Sequence, residues 1–408
     1  MKGKDFLAFC LGITACIPFR IFGTFYAIEI IALLMLPFIF RRKIFTFPQI
    51  RILIVLGIGW LIGAICSDFI NDTSAIDSYK GSFNIIFFLL IIPFCFWMLQ
   101  DKPLRLLWYY CGQALSSLYA FYYISSIDLS ELDFEIWEVY AWQPFFIALA
   151  SLLYYKNYKK LSYSLFFGWG IYSLYSGSRN IFLTAMISIS ILLYIDRYKN
   201  YNVFEKINRF KRNILQIIIA IGVAGAIVNV TYEYLASTGK LGENAYNKYI
   251  MQKVESGGNV FKGGRSEVFE CVELISRNPL IGYGSYPMAN RIDLIENYEI
   301  RDITSTLNPF KQLPGHSHIF GMWMWHGILA LIFWIYFSLI ILKIFMNGAF
   351  IYEETTIALC VIITSCTIWN IIFSPMGQRM PLMLFIIYLI ITYRKYKVNR
   401  YKTNIIRL

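Results

Sequence analysis

The residues best suited to chemistry in this 408-residue chain are its three histidines, His316, His318 and His326, which fall within eleven positions of one another. Imidazole titrates nearer neutrality than any other side chain, so His316 and His318 are candidates for the general base of a transfer reaction. Packing is the expected role of His326. A His-x-His pair also suits zinc, but no third ligand stands nearby and no metal is expected. Four arginines, Arg20, Arg179, Arg265 and Arg379, form a second set. The guanidinium fork grips phosphate bidentately. Arg179 lies in Ser176-Gly-Ser-Arg179-Asn, where small neighbours leave room for a ligand, and Arg265 follows Gly263-Gly264. Glu29 falls within an apolar run, where a carboxylate is either functional or paired, here with Arg20 across the first hairpin.

These groups need a scaffold, and the composition names its solvent. Hydrophobic residues make up 58% of the sequence, charged residues 15%, and mean hydropathy is +0.54, which excludes soluble enzyme folds. A hydrocarbon core of ~30 Å takes about 20 helical residues to cross. Twelve apolar runs predict spans near 5–22, 24–40, 50–67, 84–100, 104–124, 142–156, 161–176, 180–196, 213–235, 318–345, 354–373 and 380–394. The expected fold is therefore an all-α polytopic membrane protein with about 12 transmembrane helices. It divides into an N-terminal bundle over 1–235, a large periplasmic loop over 236–317, and C-terminal helices with a basic cytoplasmic tail over 318–408.

Charge sets the orientation. With both termini cytoplasmic, 24 of the 37 Lys and Arg residues face inward, and nine of the other 13 lie in segment 236–317, long enough to be translocated regardless of charge. The outer-facing segment 125–141 holds five acids and no base. Seven of the eight cysteines fall in predicted spans, so no disulfide framework is expected. In the long loop, GGRSEVFECVELISRNP (263–279) places Val268, Cys271, Val272 and Ile275 on one helical face, and Pro279 stops the helix. Leu280-Ile-Gly-Tyr-Gly284 follows as a turn, either capping the bundle or binding substrate. The tail 394–408 is basic enough to rest on anionic lipid.

Three features resemble the O-antigen ligase and polymerase superfamily of bacterial polytopic glycosyltransferases. Arg179-Asn-Ile-Phe-Leu183 resembles its Arg-x3-Leu element. Arg265, then Asn278-Pro279-Leu280 and Gly282-Tyr-Gly284, look like the helix and turn of its large periplasmic loop. His316-Ser317, nine residues and Gly327 fit the ligase pattern, which ends in Gly, Thr or Tyr where this chain has Ala330. The resemblance implies transfer of an undecaprenyl-diphosphate-linked oligosaccharide to a sugar hydroxyl at the periplasmic face of the bacterial inner membrane, without nucleotide sugar, cofactor or metal. On that reading Arg179 and Arg265 hold the diphosphate, Arg20 and Arg379 are further rim candidates, and His316, with His318 beside it, takes the acceptor proton in an inverting attack. The implied partners are the lipid-linked oligosaccharide, an acceptor glycan or lipid A core, and a chain-length regulator; nucleic acid is not among them. Ala330 favours O-antigen polymerase, with O-antigen ligase as the alternative. A flippase or other transporter is the competing class, but it needs neither a loop of about 80 residues nor a rim histidine, and no broken midplane helix is evident.

A reporter fused near residue 260 should be active only on the periplasmic side, and fusions near 204 and 400 only in the cytoplasm. A cytoplasmic signal at 260 would reverse the placement of both the arginine and the histidine sets.

Overall fold

The computed structural model describes residues 3–406 apart from 21–23, 40–41, 125–130, 177, 199, 256–265, 288–314, 316 and 375–378. It is 84% helical. Among the described residues the β-structure is one hairpin, β1 (Pro18–Arg20) against β2 (Thr24–Tyr26). The helices are α1 (Gly3–Ile13), α2 (Ala27–Ile39), α3 (Pro48–Ile70), α4 (Ala75–Leu90), α5 (Ile92–Leu99), α6 (Arg105–Tyr119), α7 (Glu131–Tyr155), α8 (Lys159–Tyr175), α9 (Arg179–Arg197), α10 (Val203–Ser237), α11 (Glu243–Glu255), α12 (Ser266–Arg277), α13 (His318–His326), α14 (Ile328–Met346), α15 (Ile357–Phe373) and α16 (Arg379–Ile406).

Among the described residues five helical stretches are long and apolar enough to cross a membrane: Pro48–Ile70, Ala75–Leu99, Arg179–Arg197, Ile328–Met346 and Glu354–Phe373. Helix α3 shows the pattern. It buries Ile50, Leu53, Trp60 and Ala64, yet its opposite face exposes Ile52, Val55, Ile58, Ile62, Ile65 and Phe69. A helix facing water carries polar residues there. With both faces apolar, the backbone satisfied within the helix and no charge along the exposed stripe after Arg51 in its first turn, the surroundings that suit it are hydrocarbon. Helix α14 repeats this with Leu329, Ile332, Ile335, Leu339 and Leu342 exposed. The architecture is compatible with a multi-pass membrane protein.

Several expected spans take another form. Segments 5–22 and 24–40 become helices of 11 and 13 residues joined by the hairpin, too short at ~1.5 Å per residue to cross ~30 Å. Segment 318–345 is not one helix but two, divided at Gly327, whose φ of 72° interrupts the helical hydrogen bonds. The helix expected over 263–279 is Ser266–Arg277, and it buries Leu274 rather than Val272 beside Val268, Cys271 and Ile275. Its inner face is thus rotated from the one the spacing indicates.

Helices α1 and α6 run parallel in register: Asp5 lies against Arg105, Gly12 against Gly112, and the Cys16 amide donates to Ser116 Oγ at 2.9 Å. The glycines let the two backbones touch, the usual device where hydrocarbon gives helices no hydrophobic drive to associate. A Cβ at Gly112 would fall on the Phe9 carbonyl oxygen. Gly112→Leu should therefore lower thermal stability in detergent by about 1–3 kcal/mol or more. Gly168→Ala, with nothing within 4 Å of the new methyl, should be neutral or stabilising. Equal melting shifts for the two variants would remove the close crossing as an explanation.

Candidate functional site

One end of the bundle is organised around a piece of main chain. Residues 280–286 enter between α3 and the α13–α14 break, where the Tyr283 amide donates to the Met324 carbonyl at 2.9 Å and the Ile328 amide to the Leu280 carbonyl at 3.0 Å. The last turn of α3 supplies the rest. Ser67 Oγ accepts the Gly284 amide at 2.9 Å and donates to the Trp325 carbonyl at 2.9 Å, while Asn71 Nδ2 donates to the Gly282 carbonyl at 3.0 Å. Gly327 is required here twice over, by its φ and because a Cβ would fall on the Leu280 carbonyl oxygen. The turn expected after Pro279 is therefore embedded among helices.

A buried polar chain lies beneath it. Trp60 Nε1 donates to His326 Nδ1 at 2.9 Å, His326 Nε2 meets Ser285 Oγ at 3.0 Å, and Ser285 Oγ donates to Asp68 Oδ2 at 3.0 Å. The Ser285 amide donates to Asp68 Oδ1 at 2.5 Å. Because indole is a donor only, His326 Nδ1 is the acceptor and Nε2 carries the proton. Gly81 of α4 leaves the space that Ser285 fills.

Glu29 and Arg379 form the second centre. Arg379 Nε and Nη2 reach the two Glu29 oxygens at 2.8 and 2.6 Å, Nη2 also donates to the Thr24 carbonyl at 3.1 Å, and Nη1 donates to Asn84 Oδ1. Asn84 Nδ2 in turn donates to the Tyr286 hydroxyl at 2.7 Å. Glu29 is 0% exposed and Arg379 4%. The expected pairing of Glu29 with Arg20 gives way to Arg379, and Arg379 is sunk in the bundle with its charge met rather than displayed at a rim. An arginine opening a helix in apolar surroundings needs a counter-charge, and Glu29 supplies it.

Arg179 has different company. It opens α9 half-buried, with Nη2 donating to Gln252 Oε1 at 2.7 Å, Nη1 to Asn229 Oδ1 at 3.3 Å, and its guanidinium 4.7 Å from the Tyr232 ring centre. Its hydrogen-bond partners among the described residues are neutral amides. Beside it, the buried Ser178 and Tyr232 hydroxyls have no partner among the described residues.

His318 opens α13, where its Nδ1 donates to the Ser374 carbonyl at 2.8 Å and its ring packs edge-on to Trp334. It is buried, not exposed at the boundary its position in the sequence implied. Helices α9 and α15 are antiparallel, with Cys366 beside Thr184 and, at the far end, Lys206 paired with Glu354. Arg179 and the Ser374–His318 contact therefore share one end of the bundle. His316, Arg265 and the side chain of Arg20 lie outside the described residues. The sequence reading missed Asp68, Ser285, Trp60 and Asn84. Asp68 stands one residue beyond the expected span 50–67, and Ser285 directly follows the glycine pair already singled out.

Removing one partner of the buried ion pair strands the other charge at a cost of about 3–5 kcal/mol. Glu29→Gln or Arg379→Gln should thus melt far below wild type in detergent, and Glu29→Leu combined with Arg379→Met should recover most of the loss. Single variants as stable as wild type would mean the pair is not what holds the hairpin to α16. Known sequences add nothing to this geometry, since the chain matches no family model and no curated protein.

Proposed function

We propose that the chain is a bacterial inner-membrane glycosyltransferase that moves an undecaprenyl-diphosphate-linked glycan onto a sugar hydroxyl at the periplasmic face, polymerising O-antigen or related repeat units. The single observation that carries the reading is the contrast between two arginines. Arg379 has a carboxylate locked across its fork, whereas the hydrogen bonds of Arg179 go to amides that orient it, with the Glu233 carboxylate acting on it through space rather than as a hydrogen-bonded partner. A preorganised, half-desolvated guanidinium at a helix N-terminus suits an anion, and a departing lipid diphosphate is an anion that its fork can grip. Cytoplasmic termini and a periplasmic 236–317 loop belong to the same proposal.

In this mechanism Arg179, with Arg265 from the loop, stabilises the diphosphate as it leaves, and a histidine takes the proton of the attacking hydroxyl. His316 is the base. His318, with its ring tied to the Ser374 carbonyl and packed on Trp334, is placed to support it. The acceptor is a lipid-linked repeat unit for a polymerase and the lipid A core for a ligase.

The test combines genetics with an assay of purified protein. Deleting the gene should leave lipopolysaccharide bearing single-repeat caps; loss of all O-antigen from core, with lipid-linked polymer accumulating, would instead assign a ligase. In vitro, Arg179→Lys should be impaired like Arg179→Ala, because a point charge does not reproduce the fork. His316→Ala should lose about 10²–10⁴-fold in rate while remaining inserted, and His318→Ala should lose less. Chelation by EDTA should have no effect. Unchanged surface polysaccharide in the deletion strain, or full turnover by Arg179→Ala, would sink the reading.

A further inference from the structure

The chain Trp60–His326–Ser285–Asp68 is polar where the bundle is otherwise apolar, and all four side chains are buried. Leucines at such positions would cost less, because each buried polar group must be matched. What the chain provides is direction. Trp60 can only donate and the Asp68 carboxylate can only accept, so hydrogen bonds run one way, through His326 Nε2–H and the Ser285 hydroxyl. One setting of α13 and of residues 280–286 against α3 satisfies every member.

Helix α13 is nine residues long, about 12 Å, and is fixed at both ends. At its C-terminus His326 is bound to α3 through Trp60 and to Ser285. At its N-terminus Ser317 Oγ caps the Phe320 amide and donates to the Ile371 carbonyl at 3.3 Å, and His318 is tied to Ser374 at the end of α15. The short helix is a strut between α3 and α15.

We infer that Asp68, Ser285 and His326 are positioning residues of the transfer site, holding strut α13 so that His318 at its first residue keeps a fixed place at the end of the bundle it shares with Arg179. This rests on the transferase reading above. None of the three touches substrate; they act through the strut, and a displacement of ~1 Å at a reacting group can cost about 10²-fold in rate.

The experiment uses full-length protein in nanodiscs, with undecaprenyl-diphosphate-linked oligosaccharide extracted from the native host as donor and acceptor. Ser285→Ala and His326→Leu should each lose on the order of 10–100-fold in kcat with donor KM within about two-fold of wild type, because Arg179 is untouched. His326→Gln, whose amide oxygen accepts from Trp60 and whose NH₂ donates to Ser285, should keep most of the activity. Hydrogen exchange of the amides of 318–326 should quicken in Ser285→Ala and His326→Leu and stay slow in His326→Gln. Wild-type kcat in Ser285→Ala and His326→Leu, a rise in KM alone, or equal losses in the Gln and Leu variants would overturn the inference. Should Ser285→Ala fail to insert, the Gln and Leu variants carry the same comparison. If wild-type protein transfers nothing, the transferase reading falls, and exchange judges the strut: quickened exchange in Ser285→Ala upholds it and unchanged exchange rejects it.

Discussion

A stretch of main chain from Leu280 to Tyr286 is buried among apolar helices, and this end of the bundle is built to satisfy its peptide groups. Buried amides and carbonyls without partners are costly, and a hydrocarbon-facing bundle has little water to offer. The partners come from two places where helices stop. The last turn of α3 contributes Ser67, Asp68 and Asn71, and the interruption at Gly327 frees the Met324 and Trp325 carbonyls and the Ile328 amide. Had α13 and α14 been one continuous helix, those groups would have bonded to each other, and residues 280–286 would have had nothing to join.

The same economy governs charge. Glu29 and Arg379 tie α2, the hairpin, α4 and α16 together, with Asn84 and the Thr24 carbonyl taking the remaining donors. This cluster is saturated, which suits anchoring and leaves little for a ligand. Around Arg179 the hydrogen bonds orient the charge without a carboxylate in the fork, Glu233 acting on it only through space, and the neighbouring Ser178 and Tyr232 hydroxyls have no partner among the described residues. Two arginines in similar apolar settings thus differ in chemistry through their partners, amides in one case and a carboxylate in the other. Arg179 lies at the same end as His318, since α9 and α15 pack antiparallel. The two centres thus differ in how their donors are met: a carboxylate closes the first, and side-chain amides orient the second.

Helix α13 shows how finely the break at Gly327 matters. It carries a polar contact at each end and aromatic packing along its length, so its orientation is over-determined. His326 joins it to the core, and His318 joins it to α15. The sequence set His316 and His318 together as candidate bases and left His326 to packing; in the fold both His318 and His326 attach this helix to its neighbours.

Composition alone determined that the chain is helical and that its outer surface is apolar, because a period of 3.6 and a shortage of charge are properties of local sequence. It also marked Arg179, the glycine pair 282 and 284, the stop at Pro279 and the packing role of His326, each flagged by neighbours a few residues away. The tertiary structure decided what depends on distant partners. Glu29 meets Arg379 across 350 positions and Ser285 meets Asp68 across 217, and no local pattern encodes such pairings. The exposed side of α12 and the division of the 318–345 run were likewise settled by contacts with other elements, since Val272 and Leu274 are equally apolar and Gly327 breaks a helix only when something stands ready to bond the freed groups.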